Sequence, residues 1–451
     1  MKDTITPALS MQEKSYTVMG DLSVGIRINH NPYSIPLERV FSLAARNNPR
    51  RSYLFVSKLI GKHIPVHPRI PLLTGFLLAS RLAENLGIDV DGNKINEAVA
   101  MIAGHGNCNL MRAAYSFPGK TLFIGFAETA TALGHSVFDS FSGDIGFLHT
   151  TRESLAGTCD TIYFTEEHCH APEQRCLVND ASFFTGNNLL VLIDDEITSG
   201  NTCLNFIKRI QKKYPQQNYV VLTILDWRSG EAQKKYVRAE QELGIKINVI
   251  SLCAGDFWSR GGSPTVTGLL PGTATSSPEI PDIVNIIAPV GPEIEIQSGG
   301  GKAAGYLKYT GRFGLGAGDE GPLFSLAEAL GQRLGALRKG RKTLCLGTGE
   351  FMYIPFLTAC HMGEGVMVQS TTRSPVHPHG GRDYAVKHAI AFEDPFIPGI
   401  NNFVYNIPPY YYDEVFVFWE REVKPELVAP LAGSLHSLGI GHIVFIVCCR
   451  S

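Results

Sequence analysis

Residues 187–202 read NNLLVLIDDEITSGNT. Two adjacent carboxylates, Asp194 and Asp195, stand between an apolar run and the small polar stretch Thr198-Ser199-Gly200-Asn201-Thr202. Carboxylates in this setting repel phosphate, but they accept hydrogen bonds from sugar hydroxyls or share Mg²⁺ with a ligand. The polar stretch does the opposite work. Gly200 lets the backbone approach an anion closely, the free N–H groups of a following helix attract it, and the hydroxyls of Thr198, Ser199 and Thr202 add donors. Together the two groups suit a molecule with sugar hydroxyls at one end and a phosphate at the other. Glu196 adds a third charge that faces either the site or solvent. No GxxxxGK[ST] loop is present, so this is not a Walker-type phosphate site.

These residues need a strand and a helix to hold them. Leu189 to Ile193 form an apolar run of the kind buried inside a parallel sheet. The acids then fall at its C-terminal end, where open α/β sheets hold ligands. A helix is predicted from Cys203 to about Tyr214, with Leu204, Ile207 and Ile210 on one face. Further strands are predicted at 122–124, 147–153, 219–226 and 245–253, and helices at 36–46, 71–86 and 232–243. The fold class is α/β, with open parallel sheets.

At 451 residues the chain has room for two or three domains. A net charge of -2 argues against general electrostatic binding of nucleic acid. No apolar run reaches membrane-spanning length, and the first residues lack a signal-peptide core, so a cytoplasmic location is expected. The ten scattered cysteines fit a reducing compartment. In 164–172, FTEEHCHAP, a metal reading built on His168, Cys169 and His170 fails, because neighbouring residues on an extended chain point to opposite faces.

The second half echoes the first. Lys120-Thr121-Leu122-Phe123-Ile124-Gly125-Phe126-Ala127-Glu128 returns 222 residues on as Lys342-Thr343-Leu344-Cys345-Leu346-Gly347-Thr348-Gly349-Glu350. His149-Thr150-Thr151-Arg152 returns 221 on as Ser370-Thr371-Thr372-Arg373, and Val191-Leu192-Ile193 about 225 on as Phe416-Val417-Phe418. Three landmarks in one order imply a tandem duplication. The second copy has lost the acids and the glycine turn, reading Trp419-Glu420-Arg421-Glu422-Val423-Lys424-Pro425 instead. Glu350, Arg373, His377 and His379 mark a second anion or substrate site there. The expected domains are 20–260, with its N-terminal part as a hood, a Gly/Pro/Ser-rich crossover at 261–305, and a degenerate repeat at 306–451.

The 187–202 stretch resembles the ribose-5-phosphate signature of type I phosphoribosyltransferases. That resemblance implies that Asp194 and Asp195 grip the ribose hydroxyls of phosphoribosyl pyrophosphate (PRPP) and share Mg²⁺, while residues 198–202 hold its 5′-phosphate. It also implies that Ala127, Glu128, Thr129 and Ala130 face the pyrophosphate, that Arg152 meets it as in orotate-type enzymes, and that His168 and His170 sit on a closing lid. With Thr372-Arg373-Ser374-Pro375 and the phrases LFVSKLIGKHIPV and FTEEHCHA, the whole chain resembles a bacterial family of orotate-like transferases with a C-terminal TRSP domain, encoded in tellurium-resistance and stress gene clusters. The implied reaction passes a phosphoribosyl group to a nitrogenous base or related acceptor. Either a homodimer or an intramolecular pseudo-dimer completes the site, which would bring Arg373 or the second-half histidines near the first-half acids. A non-catalytic PRPP sensor is the alternative, against which the acid pair and Arg152 stand.

Overall fold

The computed structural model describes residues 12–46, 51–153, 155, 160–165, 173–262, 283–297 and 303–449. Five parallel strands form the heart of the first sheet, in the spatial order Lys246–Arg260, Asn218–Asp226, Leu189–Ile197, Thr121–Gly125, Ile145–His149. The acid-bearing strand is therefore central, and Leu190 to Ile193 are fully buried, as a strand covered on both faces must be. The antiparallel pair Gln12–Met19 and Leu22–His30 extends one edge, and the short Leu315–Gly316 closes the other. Helices Asn201–Lys213 and Gly230–Leu243 link the strands, while Arg69–Asn85 packs on Thr131–Asp139.

The second sheet is wholly parallel, in the order Ile283–Ile287, His442–Val447, Glu414–Trp419, Thr343–Gly347, Val366–Ser370. Its last four strands take the same order as their counterparts in the first sheet. The remaining edge is filled by a strand from earlier in the chain, Ile283–Ile287. The stretch 261–305 is therefore more than a crossover, since part of it belongs to the second sheet. Leu315–Gly316, in turn, leaves the expected second domain to pair with Ile145–His149.

Residues 36–46 do not form the predicted helix. One turn, Leu37–Val40, leads into the strand Phe41–Ala45, which pairs with Tyr53–Ser57. Leu, Glu and Ala favour a helix locally, but pairing with a Tyr-Leu-Phe-Val partner buries Phe41, Leu43, Ala44 and Ala45 completely enough to override that preference. The hairpin and the segment after it tie the halves together. Val66 and Val368 exchange backbone hydrogen bonds of 3.0 and 2.8 Å, and the Ser370 N–H donates to the Gly61 carbonyl at 2.8 Å. One apolar core runs from Val18 through Phe356 to Cys448, so the two halves share an interior.

Candidate active site

The ladder of Leu189–Ile197 continues through the acids, because Asp194 still pairs with Thr223 and Glu196 with Leu225. Both aspartates are half-buried at the sheet's C-terminal edge. The Thr129 hydroxyl donates to Asp195 at 2.7 Å, and the Asp195 N–H donates to the Asp194 carboxylate at 3.0 Å. Glu196 turns aside to Arg51, at 2.7 Å, so the third charge is neutralised within the protein. Burial pushes the Asp195 carboxyl up to about 6, against the Thr129 hydroxyl, and the charge of Glu196 adds to the rise. A carboxylate held this way gains from a nearby cation. Among the described residues no three His, Cys, Asp or Glu side chains gather to cage a metal. The pair suits Mg²⁺ only in its usual manner, with one or two carboxylates and the rest from ligand oxygens and water.

Beyond the acids the chain turns sharply into helix Asn201–Lys213. Gly200 sits at the helix start with φ +68°, a left-handed conformation that favours glycine. A Cβ there would meet the Tyr236 ring at 2.6 Å, and the Tyr236 hydroxyl donates to the Gly200 carbonyl at 3.0 Å. Thr198, Ser199, Gly200 and Thr202 border a cavity of about 420 Å³ that also contains both aspartates. Asn201 does not. Its side chain accepts from Lys235 at 3.3 Å, away from the cavity, and its N–H donates to the Ser199 hydroxyl at 3.3 Å.

Across the cavity lies the turn after Thr121–Gly125. Ala127, Glu128 and Thr129 border the cavity, whereas Ala130 is buried behind it with its N–H given to the Phe126 carbonyl at 2.9 Å. The Ala127 N–H donates to the Thr150 hydroxyl at 2.8 Å. Two of the four backbone groups expected to face a leaving group are therefore spent on holding the turn itself. The Ala127–Glu128 peptide is cis. Glu128 is buried between Lys62 and Arg152, the latter at 3.3 Å. Burial alone would raise its carboxyl, but the two cations outweigh burial and hold it below the usual range. Arg152 borders the cavity, and its backbone N–H donates to Glu350 at 2.7 Å.

The second half supplies part of the wall. Thr372, Arg373, Ser374 and Pro375 border the same cavity, with Asn401 and Phe403 beside them. The other second-half candidates divide. Glu350 accepts from the Thr151 hydroxyl at 2.7 Å as well as from Arg152, so it braces the first half instead of meeting a ligand here. His377 and His379 border neither this cavity nor its neighbour in the second half. The His377 N–H donates to the Ala45 carbonyl at 3.1 Å, and the His379 ring rests edge-on against Tyr384. The spacing of Ser370–Gly381 in sequence brings Arg373, His377 and His379 together, yet of these only Arg373 borders the cavity, with its guanidinium on Asp394 at 3.0 Å. His168 and His170 lie outside the described residues.

Sequence reasoning missed three contributors. Lys62 is fully buried and holds Glu128 while donating to the Gly349 carbonyl at 2.7 Å. His63 borders the cavity, stacks on Tyr405, and carries an Nε2 without a hydrogen-bond partner among the described residues. Burial lowers its imidazole to about 4, so it is neutral at pH 7. Gln174 ties the turn in place, donating to the Ala127 carbonyl at 2.6 Å. The signal in the sequence for Lys62 and His63 is the basic run Arg50, Arg51, Lys58, Lys62, His63 and His67, whose spacing fits a surface edge and a face over an anionic substrate equally well.

No helix among the described residues is long and apolar enough to cross a membrane. No curated protein matches the chain. Among solved structures, adenine phosphoribosyl transferase from Trypanosoma brucei is 13% identical, covering 50% of this chain and 82% of its own, with a TM-score of 0.32. The corresponding enzyme from Rhodothermus marinus is 10% identical over 48% of this chain and 95% of its own, with a TM-score of 0.29. That from Leishmania tarentolae is 12% identical over 49% and 87%, with a TM-score of 0.30. Residues 40–256 match the family described as phosphoribosyl transferase, and residues 309–435 match the TRSP domain described as C-terminal to it. The chain thus carries a phosphoribosyl transferase domain followed by a C-terminal TRSP domain.

Proposed function

We propose that the chain transfers the 5-phosphoribosyl group of PRPP to a nitrogenous base or related acceptor, releasing pyrophosphate and forming a nucleotide-like product. The observation that carries this reading is the meeting of Asp194, Asp195, residues 198–200, Thr202 and Arg152 around one cavity. Asp194 and Asp195 accept the ribose hydroxyls. The Gly200 turn and the first N–H groups of helix Asn201–Lys213 hold the 5′-phosphate. Arg152 lies where the pyrophosphate leaves, beside the Glu128 turn, and both ends of the substrate are fixed before the C1–O bond breaks. Mg²⁺, bound through the aspartates and the substrate's own oxygens, would supply charge neutralisation for the departing pyrophosphate. Thr372-Arg373-Ser374-Pro375 close the cavity from the second half, as an intramolecular pseudo-dimer would require. Arg51 and Glu196, being paired, set the cavity's shape and not its charge.

Calorimetry with PRPP and Mg²⁺, on the wild type and on Asp194→Asn/Asp195→Asn, tests the assignment. Binding in the wild type only supports it, and equal binding in both defeats it. Pyrophosphate release with a panel of bases separates an enzyme from a sensor that binds PRPP without turnover.

A further inference from the structure

The two equivalent turns meet across the join between the halves. Glu128 and Glu350 occupy the same place in the repeat, and so do Arg152 and Arg373. In the first half these two residues pair, Arg152 meeting Glu128 at 3.3 Å. In the second half they do not. Arg373 meets Asp394 at 3.0 Å instead, and Glu350 reaches into the first half. One of its carboxylate oxygens accepts from the Arg152 N–H and the other from the Thr151 hydroxyl, both at 2.7 Å. Arg312, 1% exposed, lies 3.5 Å from the same carboxylate. With Arg373 taken by Asp394, the second copy's glutamate serves the first copy's arginine.

A second route runs back the other way. The Glu128 carboxylate pairs with the Lys62 ammonium, which donates to the Gly349 carbonyl at 2.7 Å. Gly349 directly precedes Glu350, so the contacts close a ring. It runs from Glu350 to the Arg152 backbone, along the Arg152 side chain to Glu128, and through Lys62 to Gly349. Lys62 and Glu128 are both buried, and charge-assisted hydrogen bonds away from water are strong and directional. Thr151 is held on its other side by Arg175, with which it exchanges backbone hydrogen bonds of 2.7 and 2.9 Å. We infer that Glu350 is a positioning residue, which fixes the backbone at Arg152 so that the guanidinium stands at the pyrophosphate end of the first cavity. This role rests on the transfer reaction proposed above, in which Arg152 meets the pyrophosphate. The degenerate copy would then serve that reaction from a residue outside the first cavity's wall.

The test is calorimetry on the full chain with Mg²⁺ and three probes: PRPP, pyrophosphate and ribose 5-phosphate. Glu350→Ala should weaken PRPP and pyrophosphate about tenfold, the scale of a slightly misplaced binding group. Ribose 5-phosphate should bind as before, since Asp194, Asp195 and the Gly200 turn are untouched. In an Arg152→Ala background Glu350→Ala should add nothing, because a residue that acts through Arg152 has nothing left to aim. Circular dichroism reports folding. If Glu350→Ala does not fold, Thr151→Val removes one donor to the same carboxylate and should cost about threefold on the same two probes. Equal losses on all three probes, unchanged pyrophosphate affinity, or losses that multiply in the double variant would overturn the role of Glu350 and leave the transferase reading standing. A wild type that binds no PRPP would overturn that reading, and the role of Glu350 with it.

Discussion

The turns Gly125–Thr131 and Gly347–Phe351 residues are one piece of backbone used twice. In the first, the Ala127 N–H donates to Thr150 at 2.8 Å and the Thr150 N–H to Gly125 at 2.9 Å. In the second, the Gly349 N–H donates to Thr371 at 2.9 Å and the Thr371 N–H to Gly347 at 3.0 Å. Gly125 and Gly347 each lie so close to a carbonyl that a Cβ would come within 2.5 Å of it, from Ala130 in one turn and Phe351 in the other. The skeletons match while the side chains diverge. Where the first sheet ends in Asp194 and Asp195, the second ends in Trp419 and Glu420. A duplicated framework preserves the backbone hydrogen bonds that a turn cannot do without and leaves the side chains at its tip to change with the ligand.

The equivalent glutamates give the largest contrast. Glu128 is the acid that compensates the buried Lys62, so Glu128→Ala should cost about 3–5 kcal/mol in urea unfolding, the usual penalty for stranding one member of a buried pair. Glu350→Ala should cost only about 1–2 kcal/mol, because Arg312 keeps Glu420 and Glu153. Equal losses would mean that Lys62 finds other compensation.

Replacing both aspartates removes at least two charge-assisted contacts, so PRPP affinity should fall about a hundredfold by calorimetry. The two positive-φ glycines sharpen the comparison on a smaller scale. Gly349, at φ +56° with open space around its missing Cβ, should tolerate alanine at a cost of about 1 kcal/mol. Gly200→Ala should cost about 2–3 kcal/mol in thermal or urea unfolding, since the Tyr236 ring must also move.

The smallest effect is in pH. With Asp195 raised to about 6, the carboxyl is protonated in the free protein below that value and must lose its proton to bind a cation-bearing ligand. Affinity for PRPP with Mg²⁺ should therefore be flat above about pH 7 and fall up to tenfold per unit below 6. For stability the sign is reversed. A raised carboxyl destabilises the folded chain above the ordinary aspartate value of 3.8, fully so once pH passes about 6. Asp195→Asn should consequently hold or gain stability at pH 7 while losing ligand, as a functional acid would.

Much of this was readable from residue order. The buried strand, the acids at its tip and the glycine turn lie within sixteen consecutive residues, where period and turn chemistry act locally. The repeat was readable for the same reason. Residues 36–46 were not, because their pairing with Tyr53–Ser57 is a tertiary choice that overrides helix propensity. Nor could spacing decide between Arg373, His377 and His379, which stand within seven residues of one another. The Tyr384 hydroxyl donates to the His377 carbonyl at 2.6 Å and the Ala45 N–H donates to the Tyr384 hydroxyl at 2.7 Å. That clasp turns the later part of the segment toward the hairpin and leaves Arg373 alone at the cavity. Lys62 and Glu128, far apart in sequence and ordinary in type, gave no sign of meeting.

The strand Ile283–Ile287 carries a practical consequence for anyone wishing to take the halves apart. It flanks His442–Val447 across five residue pairs, yet it lies inside the 261–305 stretch in which a natural cut would be made. A fragment beginning at residue 306 would leave His442–Val447 as an unguarded apolar rim, a template for sticking to its own copies. Separately expressed halves should therefore be divided upstream of Ile283, so that the rim travels with its cover.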